Sequence, residues 1–313
     1  MTKERLSVLD SMSIRMLHFF YPESPSADKA TRERLLEKIG IVYHPMIEPA
    51  GKLARELASF LAAKKVNVWT SSAWETAAVK KKLAGTDLLL TVGGDGTILR
   101  AAQAVLPGKV PITGINLGKL GFMTELGVEE TRESLRQLLA GKGWRDERAL
   151  LEVKIKFPAK KTAARFYALN DVVVARGAVI RVISVAAEMN GAPLTTYKGD
   201  GVIMSTATGS TGYALAAGGP ILQPRAREMV LVPIMPHLAA SYPLVLPADT
   251  IIRLQTQSVF PATISIDGHT NITAGSGTVL ELKRSAKTIC FLRIHPETYF
   301  YSSLESRLKG KQS

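Results

Sequence analysis

Ten residues restrict the folds open to this chain: Leu88-Leu89-Leu90-Thr91-Val92-Gly93-Gly94-Asp95-Gly96-Thr97. An apolar run of strand length stops at a glycine-rich loop. Ile98, Ala101, Ala102, Val105 and Leu106 then recur at the spacing of one helix face. Pro107-Gly108 ends the pattern. The loop over 93–97 therefore joins the carboxyl end of a buried strand to the amino end of a helix. Unpaired N–H groups and a partial positive charge at such an end attract phosphate. Asp95 is the exception, because an anion in a phosphate loop repels its ligand unless it does chemistry. Binding magnesium or taking a proton from an attacking hydroxyl would be such chemistry.

A lone Gly-Asp-Gly is a common turn, but the full string between a strand and an amphipathic helix carries more. The chain has no G-x-x-x-x-G-K-[ST] and no G-x-G-x-x-G string, so neither the Walker loop nor the usual dinucleotide fingerprint is present. Gly-Gly-Asp-Gly-Thr resembles the signature loop shared by NAD kinases and by diacylglycerol and sphingosine kinases. With a change in its final residue it also resembles that of phosphofructokinases. At this point the substrate stays open.

Around this loop strand and helix alternate. Ile39–Tyr43 reads as a first strand and Leu53, Leu57, Phe60 and Leu61 as the face of a helix. Val66–Trp69 reads as a second strand, and Ser71-Ser72 as the cap of a short helix ending at Lys80–Lys82. Val110–Asn116 is the next strand and 128–140 the next helix. Such alternation predicts a parallel sheet with helices on both faces and ligands at the strands' carboxyl ends. After Gly141-Lys142-Gly143 the texture turns β-rich, in the runs Leu150–Phe157, Phe166–Ala175, Val179–Met189 and Thr195–Ser205, with Asn190-Gly191 as a hairpin turn. Helical character is expected only in stretches such as Tyr213–Ala217. The expected architecture is an α/β amino-terminal domain with a parallel sheet, followed by a β-rich carboxyl-terminal domain. Its pieces are an extension over 1–37, the α/β phosphate-loop domain over 38–145, the β-rich domain over 146–290, and a segment over 291–313 that packs back on the first domain.

The chain carries 40 Lys+Arg against 27 Asp+Glu, a net +13. The first 38 residues hold seven basic and six acidic side chains, so the excess is not a basic tail there. A basic surface suits phosphorylated small molecules, and nucleic acid is attracted by the same charge. With 6% aromatic residues and no nucleic-acid motif, base stacking has little support and no nucleic-acid partner is expected. The single Cys290 lies in the apolar string Ile289–Leu292 and reads as a buried thiol. No apolar stretch reaches membrane-span length and no signal-peptide pattern opens the chain, so no membrane partner and a cytoplasmic location are expected.

Three further strings lie in the second half. Leu169-Asn170-Asp171-Val172 places an amide and a carboxylate at the start of a strand, able to accept from and donate to two ribose hydroxyls. A long stretch combines Lys198-Gly199-Asp200-Gly201, Thr206–Tyr213 and Ala216–Pro220. Its hydroxyls and glycines can hold a planar, hydroxyl-rich ligand, on which Tyr213 can stack. The G-x-S-x-G elbow fails at Ser210, because Thr208 stands two residues before it. Pro236-His237, Pro243–Pro247 and Asp267-Gly268-His269 form the third group. The histidines lack metal-ligand spacing, and His237 reads as structural.

Together these strings resemble the NAD kinase family over roughly residues 39 to 300. Asn116 to Glu125 is similar to its Asn-Leu-Gly-Arg-Leu-Gly-Phe-Leu-Thr segment, Asn170-Asp171 to its Asn-Glu/Asp pair, and Gly199-Asp200-Gly201 to its second acidic loop. Thr206 to Pro220 resembles a string that the lipid kinases lack. The sequence departs from the pattern at Ala207 (usually proline), Gly212 (alanine), Ala216 (often serine), Tyr242 (arginine) and His269 (often glutamine). The resemblance implies transfer of the γ-phosphoryl of ATP, or of polyphosphate, to the 2′-hydroxyl of the adenosine ribose of NAD, giving NADP. It implies Asp95 as the base, with Gly94, Gly96 and Thr97 lining the phosphate path and Arg100 near the pyrophosphate. Asn170 and Asp171 would hold the nucleoside, and Lys198, Asp200, Thr211, Gly212, Tyr213 and Ala216 would surround adenine and ribose. Some of these would reach across a subunit interface. Arg181 and His269 belong to the site by family position. The implied cofactor is a divalent cation, Mg²⁺, without a dedicated set of protein ligands. The implied partners are small-molecule nucleotides and further copies of the chain, as dimer or tetramer. A lipid or sugar kinase with the same loop, and a non-catalytic NAD(P)-binding regulator, are the competing readings.

Overall fold

The computed structural model describes residues 36–106, 108–118, 121–159, 162–178, 181–237 and 242–309. All but the last two residues of the expected extension lie outside them.

Four strands, β1 (Lys38–Tyr43), β2 (Asn67–Ser72), β3 (Leu88–Val92) and β4 (Ile112–Ile115), run parallel in the spatial order β2-β1-β3-β4. Helices α1 (Glu48–Ala62), α2 (Thr76–Lys82) and α3 (Asp95–Val105) connect them, and α4 (Val128–Leu139) follows β4. β3 is buried at every position, as a strand covered on both faces must be. Its side chains alternate between two cores. Leu88 and Leu90 pack with Leu53, Leu57 and Leu61 of α1 and Leu135 of α4, whereas Leu89 packs with Ile98, Ala102 and Val105 of α3. Ser71 and Ser72 complete β2 instead of capping a helix. α2 starts later, at Thr76, because Ser71 Oγ turns to Glu75 (3.1 Å) and Ser72 Oγ accepts the Trp74 N–H (3.2 Å). β1 lies between β2 and β3, so the connections diverge on either side of it and open a crevice beyond the carboxyl ends of β1 and β3.

The second half builds a sandwich. β5 (Trp144–Lys156), β6 (Ala164–Ala168), β8 (Ile183–Met189), β9 (Ala192–Gly199), β13 (Ile251–Thr256) and β16 (Val279–Arg293) join the four parallel strands in one ten-stranded sheet. The facing sheet has six strands. These are β7 (Asp171–Arg176), β10 (Gly201–Thr206), β11 (Met229–Ile234), β12 (Leu244–Leu246), β14 (Ala262–Ile266) and β15 (Thr270–Ala274). Asn190 and Gly191 both take positive φ, 52° and 84°, in the tight β8–β9 hairpin. β16 spans both regions: Leu280 and Leu282 sit in the sandwich core, whereas Phe291 pairs with Ile112 of β4. Cys290 on this strand is buried, and burial pushes its thiol up to about 11.

Two β-rich runs each prove to be two strands. Phe166–Ala175 breaks at Leu169-Asn170 and Thr195–Ser205 breaks at Asp200, and at both breaks the chain leaves one sheet for the other. Of the run from Val179, the first two residues lie outside the described residues, and the strand begins at Ile183. Helical structure near Tyr213 is a short α5 (Tyr213–Ala216) after a 3-10 turn at Gly209–Thr211. The last element is α6 (Tyr299–Lys309).

Candidate active site

Asp95 is the first residue of α3, so only Gly93 and Gly94 of the glycine string lie outside the helix. Its Oδ2 accepts the Phe122 N–H at 2.9 Å, and its Oδ1 accepts the N–H groups of Met123 (3.1 Å) and Thr124 (3.3 Å). Gly121 makes this approach possible, since a Cβ there would lie 2.3 Å from Asp95 Oδ1. A carboxylate offers about four acceptor positions. Among the described residues, three are filled by backbone, and one on Oδ2 is left for a hydroxyl.

The crevice beyond β1 and β3 holds a cavity of about 420 Å³, within the size range of small-molecule sites. Gly94 lines it from just before α3, Gly96 and Arg100 from α3 itself, His44 and Trp74 from the β1 and β2 ends, and His269 from the turn before β15. The Arg100 guanidinium lies 4.2 Å over the Trp74 ring, whose edge meets His44 at 4.4 Å. The cation is thus held over a ring in the second turn of α3, and among the described residues it meets no carboxylate, so its charge can meet phosphate. Thr97 Oγ1, one turn in, is buried without a partner.

Asp267 joins this cavity to the Asn170-Asp171 break. Its carboxylate accepts the N–H groups of Leu169 (2.9 Å), Asn170 (2.7 Å) and Asp171 (3.2 Å), and the Gln103 amide of α3 (3.1 Å). Three successive N–H groups freed where β6 ends and β7 begins are therefore met by one side chain. Burial pushes the Asp267 carboxyl up, and these donors pull it back. Asp171, 6% exposed, is pushed up to about 7 by its own burial and by the neighbouring Asp267 charge. It thus offers a proton-bearing oxygen near neutral pH, while Asn170 Oδ1 is a buried acceptor without a donor. The pair can receive one hydroxyl and donate to another.

Thr206 to Ala216 wraps this break. Thr206 Oγ1 donates to Leu169 O at 2.6 Å and accepts the Gly209 N–H at 3.1 Å. A Cβ on Gly209 would lie 2.2 Å from Asn170 O, so the contact requires glycine. Thr211 is half-buried, Gly212 and Ala216 are exposed, and Tyr213 presents a ring 48% exposed.

Lys198, Asp200 and Arg181 lie elsewhere. β7 and β10 are antiparallel, with Asp171 opposite Ser205 and Ala175 opposite Gly201, so Asp200 sits at the far end from Asn170. The five residue steps from Asp171 to Arg176 span about 17 Å. There Asp200 Oδ1 accepts the Arg176 Nε–H at 3.0 Å, Lys198 is exposed, and Arg181 lies 5.8 Å over Phe260, ahead of β8 rather than on a strand. Asp95, Gly96, Arg100, Asn170, Asp171, Thr211, Gly212 and His269 thus gather around one region, with Tyr213 and Ala216 on its rim, and the other three stand apart. Sequence reading assigned no role to Asp267, Trp74 or His44. Asp-Gly before a polar strand was the one available signal, whereas the ring contacts depend on strand order.

A helix start open to phosphate beside a carboxylate with one free acceptor position defines a phosphoryl-transfer enzyme that works on nucleotides. The ATP-NAD kinase N-terminal domain matches residues 31–143, and the ATP-NAD kinase C-terminal domain matches residues 169–294. The NAD kinase of Dehalococcoides mccartyi strain BAV1 is 50% identical over 276 residues, covering 88% of this chain and 97% of the relative. That of Chloroflexus aggregans is 38% identical over 275 residues, with 88% and 99% covered. Among solved structures, yeast NADH kinase complexed with NADH shares the fold at a TM-score of 0.78 and 23% identity, covering 90% of this chain and 89% of that one. An NAD kinase from Archaeoglobus fulgidus in complex with ATP gives 0.70 and 24%, covering 87% and 99%. The chain belongs to the ATP-NAD kinase family.

Proposed function

We propose that the protein transfers the γ-phosphoryl group of ATP to the 2′-hydroxyl of the adenosine ribose of NAD, giving NADP. One observation carries the reading: Asp95 stands at the start of α3 beside the crevice, with a single acceptor position left on Oδ2 among the described residues. In this reading the free position takes the proton of the attacking hydroxyl. The helix start and Arg100 hold phosphate, and Asn170 with Asp171 holds the nucleoside hydroxyls. Thr211 to Ala216, with Tyr213, encloses the base, and His269 faces the phosphates from the opposite wall.

Among the described residues, no three His, Cys, Asp or Glu side chains gather into a metal cage. Mg²⁺ typically uses one or two carboxylates together with substrate phosphates. With its one open position given to the acceptor hydroxyl, Asp95 would not hold the ion as well, and Mg²⁺ carried by the substrate phosphates would neutralise charge on the transferring group. Among the described residues, no helix is long and apolar enough to cross a membrane, and a cytoplasmic location suits a buried, unpaired Cys290.

The placement of Arg181, Lys198 and Asp200 toward the far end of the β7–β10 ladder from Asn170 supports a homo-oligomer, dimer or tetramer, in which they serve a neighbouring subunit's site. The test is incubation of purified protein with Mg²⁺, NAD and either ATP or polyphosphate, read by an NADP-specific dehydrogenase. NADP should appear. Folded protein that makes none, yet phosphorylates diacylglycerol or a sugar phosphate, overturns the assignment.

A further inference from the structure

The segment that grips Asp95 is itself gripped from behind. Nη1 of Arg307, on α6, donates to Gly121 O, and Nη1 of Arg293 donates to Met123 O at 2.9 Å. Gly121 O and the Phe122 N–H belong to one peptide group, as do Met123 O and the Thr124 N–H. Each planar unit therefore carries an arginine on its carbonyl and the Asp95 carboxylate on its N–H. A cation on the carbonyl side polarises the peptide and strengthens its N–H as a donor.

The two arginines are not equivalent. Arg293 is locked between Asp146 (3.0 Å) and Glu125 (3.0 Å), all three buried. Removing it would leave Glu125 buried without its arginine and Asp146 with Arg148 alone. Arg307 is also buried, 8% exposed, yet among the described residues its hydrogen-bond partners are the neutral Gly121 O and Ser303 Oγ (2.8 Å). Burial pulls its guanidinium below the usual arginine range, and the nearby Tyr299, Asp95 and Glu125 oppose that shift. A buried cation with no carboxylate contact is costly. Helix docking alone does not call for one, since an apolar side chain would fill the same space.

We propose that Arg307 is a positioning residue, which holds the 121–122 peptide so that its N–H keeps the Asp95 carboxylate aimed at the acceptor hydroxyl. The inference rests on the reading of Asp95 as the base. It makes the carboxyl-terminal helix, which touches no expected substrate group, part of the apparatus for turnover.

The test is a double-substitution cycle in the full-length protein, with Arg307→Met, Arg307→Lys and Asp95→Asn. Arg307→Met should lower kcat by about 10–100-fold, the scale of a small misplacement at a reacting group. KM for NAD and ATP should stay within about threefold, and Arg307→Lys should recover part of the loss. In the Asp95→Asn background the same substitution should change the residual rate by less than about twofold, because its target is gone. Equal losses in both backgrounds, or an unchanged kcat, overturn the proposal. An Asp95→Asn protein that still turns over overturns the base assignment instead, and that result is read from the single variant. If Arg307→Met fails to fold, Ser303→Ala frees Nε while leaving the residue in place. Hydrogen exchange at the amides of 122–124 must then rise while exchange in β3 does not, and unchanged exchange overturns the proposal.

Discussion

Asp95 and Asp171 show how the same functional group takes two roles from its surroundings. Asp95 is half-buried and faces three N–H donors, which hold an acceptor ready for a fourth proton. Asp95→Asn keeps the size of the side chain but puts an amide group where acceptors are required. Loss of general-base help typically costs about 10²–10⁴ in rate, and a larger loss would mean that Asp95 also positions phosphates. Nucleotide binding by calorimetry should persist, and a variant turning over within threefold of the parent removes Asp95 from the chemistry. Asp171 is buried beside Asp267 and is pushed up to about 7. Below about pH 4 the carboxyl is protonated in both states, and above that the unfolded chain loses the proton first. Folding stability therefore falls from about pH 4 to about 7, by roughly 1.4 kcal/mol per unit at most. Asp171→Asn should flatten that slope, making the variant relatively more stable at pH 7.5 than at pH 5. Parallel melting curves for parent and variant across this range would show that Asp171 carries no such shift.

At the scale of elements, the site is built where strands stop. Asp267 supplies the hydrogen bonds that a continuous strand would have given residues 169–171. Asp267→Asn tolerates the backbone, whose φ of 49° suits Asn nearly as well as Asp. It also turns an NH₂ group toward two of the four donors that now meet Oδ1 and Oδ2. Each buried donor left without an acceptor costs about 1–3 kcal/mol. The variant should lose about 2–4 kcal/mol in urea unfolding, together with NAD affinity, and parental stability would show that Asp267 is not the acceptor described. The alternating half was legible in the sequence because buried parallel strands and amphipathic helices have distinct periods, and Leu88–Val92 and Val128–Leu139 fall where those periods put them. The breaks at Leu169-Asn170 and Asp200 were not legible, because period-2 alternation reports which face is buried and not which sheet a strand joins. The Gly93–Thr97 string, Asn170-Asp171 and the Thr206–Pro220 loop stood out by composition. Arg307 could not, because its partner is a backbone carbonyl 186 residues away.

For the whole molecule, the far placement of Lys198 and Asp200 makes a prediction about mixing. If these residues complete a neighbour's site, Asp95→Asn and Asp200→Ala proteins that are each nearly inactive should complement when unfolded and refolded together. Random pairing in a two-fold dimer would restore up to about a quarter of parental activity. A mixture that only averages its components would place Asp200 outside any shared site.

β16 bears on how the enzyme moves. Its first residues are laddered to β13 and β5 in the sandwich, and its last ones pair with β5 and touch β4 of the parallel sheet. A clamshell closure would need a free hinge between the two halves, whereas this crossing is one strand of fifteen residues, a beam whose register with β5 shifts between Arg284 and Thr288. With paired ladders on both sides of that shift, substrate entry and product release fall to the loops at the strand ends, whose motion disturbs neither ladder. The two halves should melt together in a single calorimetric transition, with the amides of the paired runs Leu280–Arg284 and Thr288–Phe291 exchanging last. Two separated transitions would show that the beam is not continuous in solution.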